Sequence, residues 1–505
     1  MTGDFSRWRA PNAKRRGYTG VLMQQGRLYT DSDWNENSAI LTERAEDALT
    51  RIIGPSGTPK DAPGFQITGA AGGFRIGAGQ YWVGGVRVEN PADIAYADQG
   101  GMDLEPLSGA VADGAEMLIH LTLRKDQVSG LQDALLLDPA LSGADTAQRE
   151  RALWRVAILP VTLTEAQRDA LIRAARCGHA PDIPGWRPGT GRMRAGTAPA
   201  ADLPEDSDCL IPPDAGYLSQ ENQLYRVQIS RGGSRDQARF VWSRENGSVE
   251  ARLARNGDGA FILVGAREDE ALGFPSGGWV EVIDDRNLAL GTPGVMTRMT
   301  LADGIATFAP GIGDFAQMVN PRLRRWDHGG TSALGLALAG TPILLERGIE
   351  ISFTEGSYVA GDAWMFEARA ATGNVIWPPY PGASDEAVAP MNWGARHAAL
   401  ALARRAGNGI AGITDLRATF PALTCIHADD VEYDDAATGL GAENVQEAIE
   451  ALAGRSGHGI CTAVVRDRNE LIAAVAALRP DQSARLCLAG GNFQLHETLV
   501  FDGLG

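Results

Sequence analysis

The sequence predicts a mainly β, multi-domain chain with helical insertions, and three observations carry that prediction. Short runs of period-two alternation recur along the 505 residues, glycine is abundant at 62 residues, and helical periodicity is confined to a few isolated segments. Glycine at this level fits many turns and stacked strands, because it enters positive-φ turn positions without a Cβ clash. The length allows roughly three domains. With 44% hydrophobic and 22% charged residues, the chain can bury real cores.

Residues 18–30 read as a strand and turn. A helix follows, opened by Asp33 with Glu36 three residues on, a capping-box spacing. Trp34, Leu41, Ala45, Ala48, Leu49 and Ile52 supply its apolar side, and Gly54-Pro55 stops it. From Phe65 the pattern is β, with a hairpin turn at Gly84-Gly85. Met117, Ile119, Leu121 and Leu123 share one strand face, which puts His120 on the other as a surface residue. LWRVAILPVTL is a second strand, and Thr164 with Gln167 has the spacing to cap a helix over TEAQRDALIRAAR. The Pro/Gly-rich stretch 180–215 reads as loop or linker. The β runs QLYRVQIS, RFVWSREN and GWVEVIDD follow, then strands at Ile349–Phe353 and Ala363–Ala368. VIWPPYPGASDEAVAP crosses without helix, and HAALALARRA reads as a short helix.

Charge and cysteine usage narrow the function classes. The net charge of −17 argues against nucleic-acid binding, whose phosphate contacts need a basic surface. Five scattered cysteines (Cys177, Cys209, Cys425, Cys461, Cys487) contain no C-x-x-C pair, so neither a zinc site nor a disulfide framework is expected, and synthesis in a reducing cytoplasm is. The opening MTGDFSRWRAPNAKRR leads into no apolar stretch, so no signal peptide is expected, nor any membrane span.

No run of residues assembles a catalytic constellation. Cys177 and His179 have no second ligand pair at metal spacing. Asn256-Gly-Asp258-Gly259 lacks the first Asp and the distal Glu of a calcium loop and reads as a hairpin turn. In Arg324-Arg325-Trp326-Asp327-His328 an Arg–Asp pair beside a packed Trp is the expectation, since no G-x-S-x-G accompanies it. Asp284-Asp285 and Asp429-Asp430 are adjacent pairs; on a strand they point to opposite faces and make no paired-carboxylate site. Trp82, Trp154, Trp242, Trp279 and Trp364 lie in strand-like runs and are expected to fill cores. No cofactor is implied.

The segment Asp429–Leu452, DDVEYDDAATGLGAENVQEAIEAL, reads as a short strand (Val431, Tyr433), an Asp/Gly turn and a helix of about three turns. Val445, Ala448, Ile449 and Leu452 fall at i, i+3, i+4 and i+7, one narrow apolar stripe that suits either a satellite helix packed on its own chain or a shared bundle axis. Its wording resembles a connector of bacteriophage tail fibres, where such a unit joins rod segments, commonly in trimers. The resemblance implies a homotrimer held partly through that stripe.

Further motifs stand in order along residues 1–424: GDFSRWR, MQQGRLYTDSDWNE, LDPALSGADTAQRERALWRV, ENQLYRVQI, FVWSRENGSV, WVEVIDD, LRRWDH, GDAWMFEAR and DLRATFPAL. Together they resemble an uncharacterised bacterial family encoded beside contractile injection system and other phage-tail-like gene clusters, often with a C-terminal β-helix. The Arg-Trp-Arg after Ser6 and the loose GDAWMFEAR depart from the usual pattern. The last residues, with a helix at Asn469–Leu478, a short strand, a Gly-Gly turn and a second strand in RLCLAGGNFQL, resemble the start of a right-handed parallel β-helix. A solenoid needs several coils and about one is present, so the chain reads as cut at Gly505.

The expected organisation is a docking region at 1–215, a second β-rich domain at 216–424, the connector at 425–455 and the β-helix start at 456–505. The resemblances imply a structural, non-enzymatic component of a phage-tail-like particle, associated with baseplate or fibre and assembled in the bacterial cytoplasm. Expected partners are baseplate, sheath or tube proteins and a cell-surface glycan, with no nucleic acid and no membrane insertion. Arg7, Trp8, Arg9, Lys14, Arg15 and Arg16 form a basic, aromatic arm in an acidic chain and are the candidate docking residues. The rival expectation is a β-helix polysaccharide depolymerase or lyase whose active site lies beyond residue 505.

Overall fold

The structure is a computed structural model. It describes residues 5, 16–99, 106–181, 183, 186, 189–198, 216–266, 272–377, 387–391, 394–455, 463–478 and 486–489. It is β-rich, and the chain divides into two compact units, Met1–Thr419 and Phe420–Gly505.

In the first unit the helix spans Asp31–Ile53 and starts before the expected Asp33. Thr30 is the cap: its Oγ1 accepts from the Asp33 amide at 3.3 Å, so the useful spacing is Thr30 to Asp33, not Asp33 to Glu36. Gly54, with φ of 98°, ends it as expected. Residues 18–30 hold the turn but no strand. The Gly84-Gly85 hairpin is present between Gly79–Val83 and Val86–Asn90; both glycines take positive φ, as a two-residue turn of this hand requires.

The organising sheet is antiparallel, in the order Arg149–Pro160, Glu116–Val128, Arg396–Ala406 and Gly409–Asp415. Met117, Ile119, Leu121 and Leu123 are fully buried on one face, with Val156, Leu400 and Ala403 in the same cluster. HAALALARRA is therefore a strand, not the expected helix. Ala398–Ala403 is covered on both faces, and a short continuous apolar run cannot be told from a helix by periodicity. Because this strand pairs with Glu116–Val128, the N-terminal sheet is discontinuous in sequence and continues past the expected division at 215. The helix Glu165–Arg176 carries the expected Thr164–Gln167 capping box. Within 180–215, Met193–Thr197 is a strand rather than linker, paired with Ile349–Phe353.

A second sheet runs Leu336–Ala337, Arg239–Ser243, Gln223–Arg231, Ala363–Arg369 and Asn374–Ile376. Tyr225, Val227 and Ile229 point from its long strand into a core with Trp364 and Phe366. A closed barrel follows, made of Glu250–Arg255, Phe261–Val264, Ile305–Ala309, Val295–Ala302, Trp279–Ile283 and Arg322–Trp326. Asn256-Gly-Asp258-Gly259 is the expected turn between two of its strands. Trp242, Trp279 and Trp364 are buried; Trp82 and Trp154 are half-buried.

In the second unit the helix Val445–Arg455 has the expected three turns. The expected strand at Val431 and Tyr433 is only a bridge, Glu432 to Asn444, while Asp435 Oδ1 and Oδ2 accept from the Leu440 and Gly441 amides at 2.6 and 2.9 Å and close the turn. Ala463–Val465 and Leu486–Leu488 pair in parallel, with the helix Arg468–Ala476 between them. The Gly490-Gly491 turn and the second strand after it lie outside the described residues. Cys487 is disulfide-bonded, against the expectation of free thiols. Among the described residues no helix is long and apolar enough to cross a membrane.

Candidate functional site

Strand alternation places charges on the outside of the barrel wall. Val280, Val282 and Leu323 face the barrel core, so Glu281, Arg324, Trp326 and Trp279 face away from it. Other parts of the unit cover that outer face, and every residue of Trp279–Ile283 and Arg322–Trp326 is buried. Arg324 stands in register between Glu250 and Glu281 on the neighbouring strands. Its Nη2 lies 2.6 Å from Glu250, and its Nη1 lies 3.6 Å from Glu281. Glu281 also accepts from Trp326 Nε1 at 3.0 Å and from the Gly294 amide at 2.9 Å. Burial alone would lower the Arg324 pKa, but Glu250 and Glu281 outweigh it and hold the guanidinium above its ordinary value.

The polar face of Gln223–Arg231 meets this wall. Arg226 alternates with the core residues Tyr225 and Val227 and is 3% exposed, and its Nη2 and Nε donate to Gln228 Oε1 at 2.7 and 3.0 Å. Burial lowers its pKa to about 9, Arg324 adds to the effect and Glu281 opposes it. The far end of Glu116–Val128 brings Arg124, Lys125 and Asp126 to the same junction, and a cleft of about 160 Å³ remains between them. Lys125 bonds Glu46 at 2.6 Å and Glu150 at 2.9 Å; Asp126 bonds Arg151 at 3.0 Å. The Arg324–His328 run behaves as expected: Arg325 Nε lies 3.2 Å from Asp327, and Trp326 is buried beside it. Asp284 serves as a helix cap, accepting from the Asn287 amide at 3.0 Å.

His120 is buried, not a surface residue. The face opposite Leu121 is covered by Trp186, which lies 4.5 Å from the His120 ring and stacks on His397 at 4.2 Å. Thr122 Oγ1 sits between the two histidines, 3.3 Å from His120 Nδ1 and 3.1 Å from His397 Nδ1. Burial lowers the His120 pKa to about 3, helped by His397 and Arg155, and lowers that of His397 to about 4, helped by Arg124. Both stay neutral in the fold while the unfolded chain takes up protons near pH 6.5. Their contribution is thus complete above pH 6.5 and is lost as pH falls toward about 4. Stability in urea should fall between pH 6.5 and 5 with a slope of up to about 1.4 kcal/mol per pH unit per histidine, and His120→Gln should remove one such increment. A wild-type stability that does not change across this window would contradict the assignment.

The candidate docking residues Arg7, Trp8, Arg9, Lys14 and Arg15 lie outside the described residues; Arg16 is exposed, with its Nη1 3.3 Å from the Tyr18 hydroxyl. The connector stripe divides: Ala448 is 4% exposed and Val445 half-buried, whereas Ile449 and Leu452 are each 53% exposed. The arginine–carboxylate junction was not foreseen. Its residues sit on polar strand faces that read as solvent-facing until a second sheet covers them.

The first unit is a multi-sheet β fold that includes a closed barrel, one wall of which carries the arginine–carboxylate junction. The chain belongs to a family of unknown function (DUF6519), which matches residues 1–182 and 190–413. No curated protein and no solved structure matches it.

Proposed function

We propose that this chain is a structural component of a phage-tail-like particle, a contractile injection system, associated with its baseplate or fibre and turned outward through its C-terminal region toward a surface glycan. The observation that carries the reading is the uncovered apolar surface near the N-terminus. Leu22 and Leu28 are 93% and 87% exposed, and Trp34, Leu41 and Ile52 are 62%, 56% and 60% exposed. The 23-residue helix that bears the last three buries only Ala39 and Ile40. Large apolar side chains left in water at this density mark an interaction surface. Phe5, from the opening GDFSRWR, lines a groove of about 660 Å³ with Tyr29 and Trp34. The tail-fibre-like wording of Asp429–Leu452 supports the same reading.

The partner is a baseplate, sheath or tube protein that offers an apolar patch with acidic groups for the arginines of the arm. Deleting residues 2–16, or substituting Leu28→Asp with Trp34→Asp, should abolish co-sedimentation with purified particles. An aromatic anchor at such a centre is worth about 2 kcal/mol or more. The substituted side chains are exposed, so circular dichroism should show an unchanged fold. Undiminished incorporation of both variants would overturn the docking assignment.

A further inference from the structure

The cleft at the barrel junction contains a cation with no carboxylate partner among the described residues. Lys125, Arg324 and Asp126 have the ion-pair partners given above. Arg124 differs. Its Nε is buried with no hydrogen-bond acceptor, and no carboxylate among the described residues pairs with its guanidinium. Gly291 packs directly on that group: a Cβ there would lie 1.9 Å from Arg124 Cζ, and Gly291 holds a φ of 64°, so the turn is shaped around the guanidinium. Thr292, on the same turn, lines the cleft with Arg226 and Gln228, and its Oγ1 accepts from Asn287 Nδ2 at 3.3 Å, which leaves the hydroxyl proton to donate. Arg124 is half-buried, and withdrawing part of a guanidinium from water without an anion carries a cost that an oxyanion offsets.

We propose that this cleft binds a small oxyanion, a phosphate, sulfate or carboxylate group, on the Arg124 guanidinium, with the Thr292 hydroxyl as a flanking donor. The guanidinium fork offers paired donors suited to such a planar or tetrahedral acceptor. A volume of about 160 Å³ is below the roughly 300–1,000 Å³ of pockets that enclose whole drug-sized ligands, so the cleft takes one charged group and not an oligosaccharide. Four cationic side chains line it, Arg124, Lys125, Arg226 and Arg324, against two carboxylates, Asp126 and Glu281, so the lining itself is cationic within a chain of net charge −17.

The test is titration calorimetry and thermal melting of the full chain with sodium phosphate, sodium sulfate or sodium glucuronate, against sodium chloride at matched ionic strength. The proposal expects saturable binding and a rise in melting temperature with at least one probe. Phosphate or sulfate acting alone assigns an inorganic ion, and a tighter response to glucuronate assigns an acidic sugar. Arg124→Gln should weaken binding about tenfold, the loss of one charge-assisted hydrogen bond. Thr292→Glu, at an exposed position, should place a carboxylate in the cleft, raise the melting temperature and abolish the response even if Arg124→Gln fails to fold. No saturable response to any probe, or a response unchanged in Thr292→Glu, would overturn the proposal.

Discussion

Arg324→Leu should destabilise the chain by about 3–5 kcal/mol, because it strips the cation from a junction whose carboxylates are already out of water. Glu281 is 4% exposed, and its remaining partners would be the Trp326 indole and the Gly294 amide. Among the described residues Glu250 would keep Arg322, whose Nε lies 4.0 Å away. Removing charge on both sides should hurt less than removing it on one, so Arg324→Leu combined with Glu281→Leu should recover part of the loss. Urea denaturation followed by circular dichroism measures both. A loss of about 1 kcal/mol or less for Arg324→Leu would mean that the pair behaves as a solvated surface bridge.

On the trimer we propose, Ile449→Asp should leave monomers. Ile449 and Leu452 stay half exposed on the connector helix while Ala448 is covered within the chain, so the stripe retains an apolar edge to share with other copies. Three carboxylates at a common axis would cost several kcal/mol in total. Light scattering on the intact protein reads the mass directly. A wild-type monomer at micromolar concentration, with the mass of Ile449→Asp the same, would mean that the helix serves its own chain only.

Sequence reasoning worked where local chemistry decides and failed where coverage decides. The Gly84-Gly85 turn, the Thr164 cap and the strands at Ile349–Phe353 and Ala363–Arg369 rest on local chemistry and period-two alternation, which the sequence displays. Ala398–Ala403 reads as a helix in the sequence because a strand covered on both faces loses its alternation and matches either period. His120 and Arg226 sit on faces that do alternate. Their burial comes from Trp186 in one case and from the barrel wall in the other, partners remote in the chain. The junction was illegible for the same reason: an arginine in a strand reads as solvated until the element that covers it is known. The disulfide at Cys487 is not legible in the sequence because no other cysteine stands at a motif spacing from it.

The central claim, membership in a phage-tail-like particle, is tested most directly by electron microscopy of particles purified from cells in which this chain carries a small electron-dense tag. The account predicts the tag at a fixed position on every particle, at the baseplate or on a fibre, with particles lacking that density when the gene is deleted. Tag confined to the soluble fraction, with particles from the deletion strain indistinguishable from wild type, would contradict it.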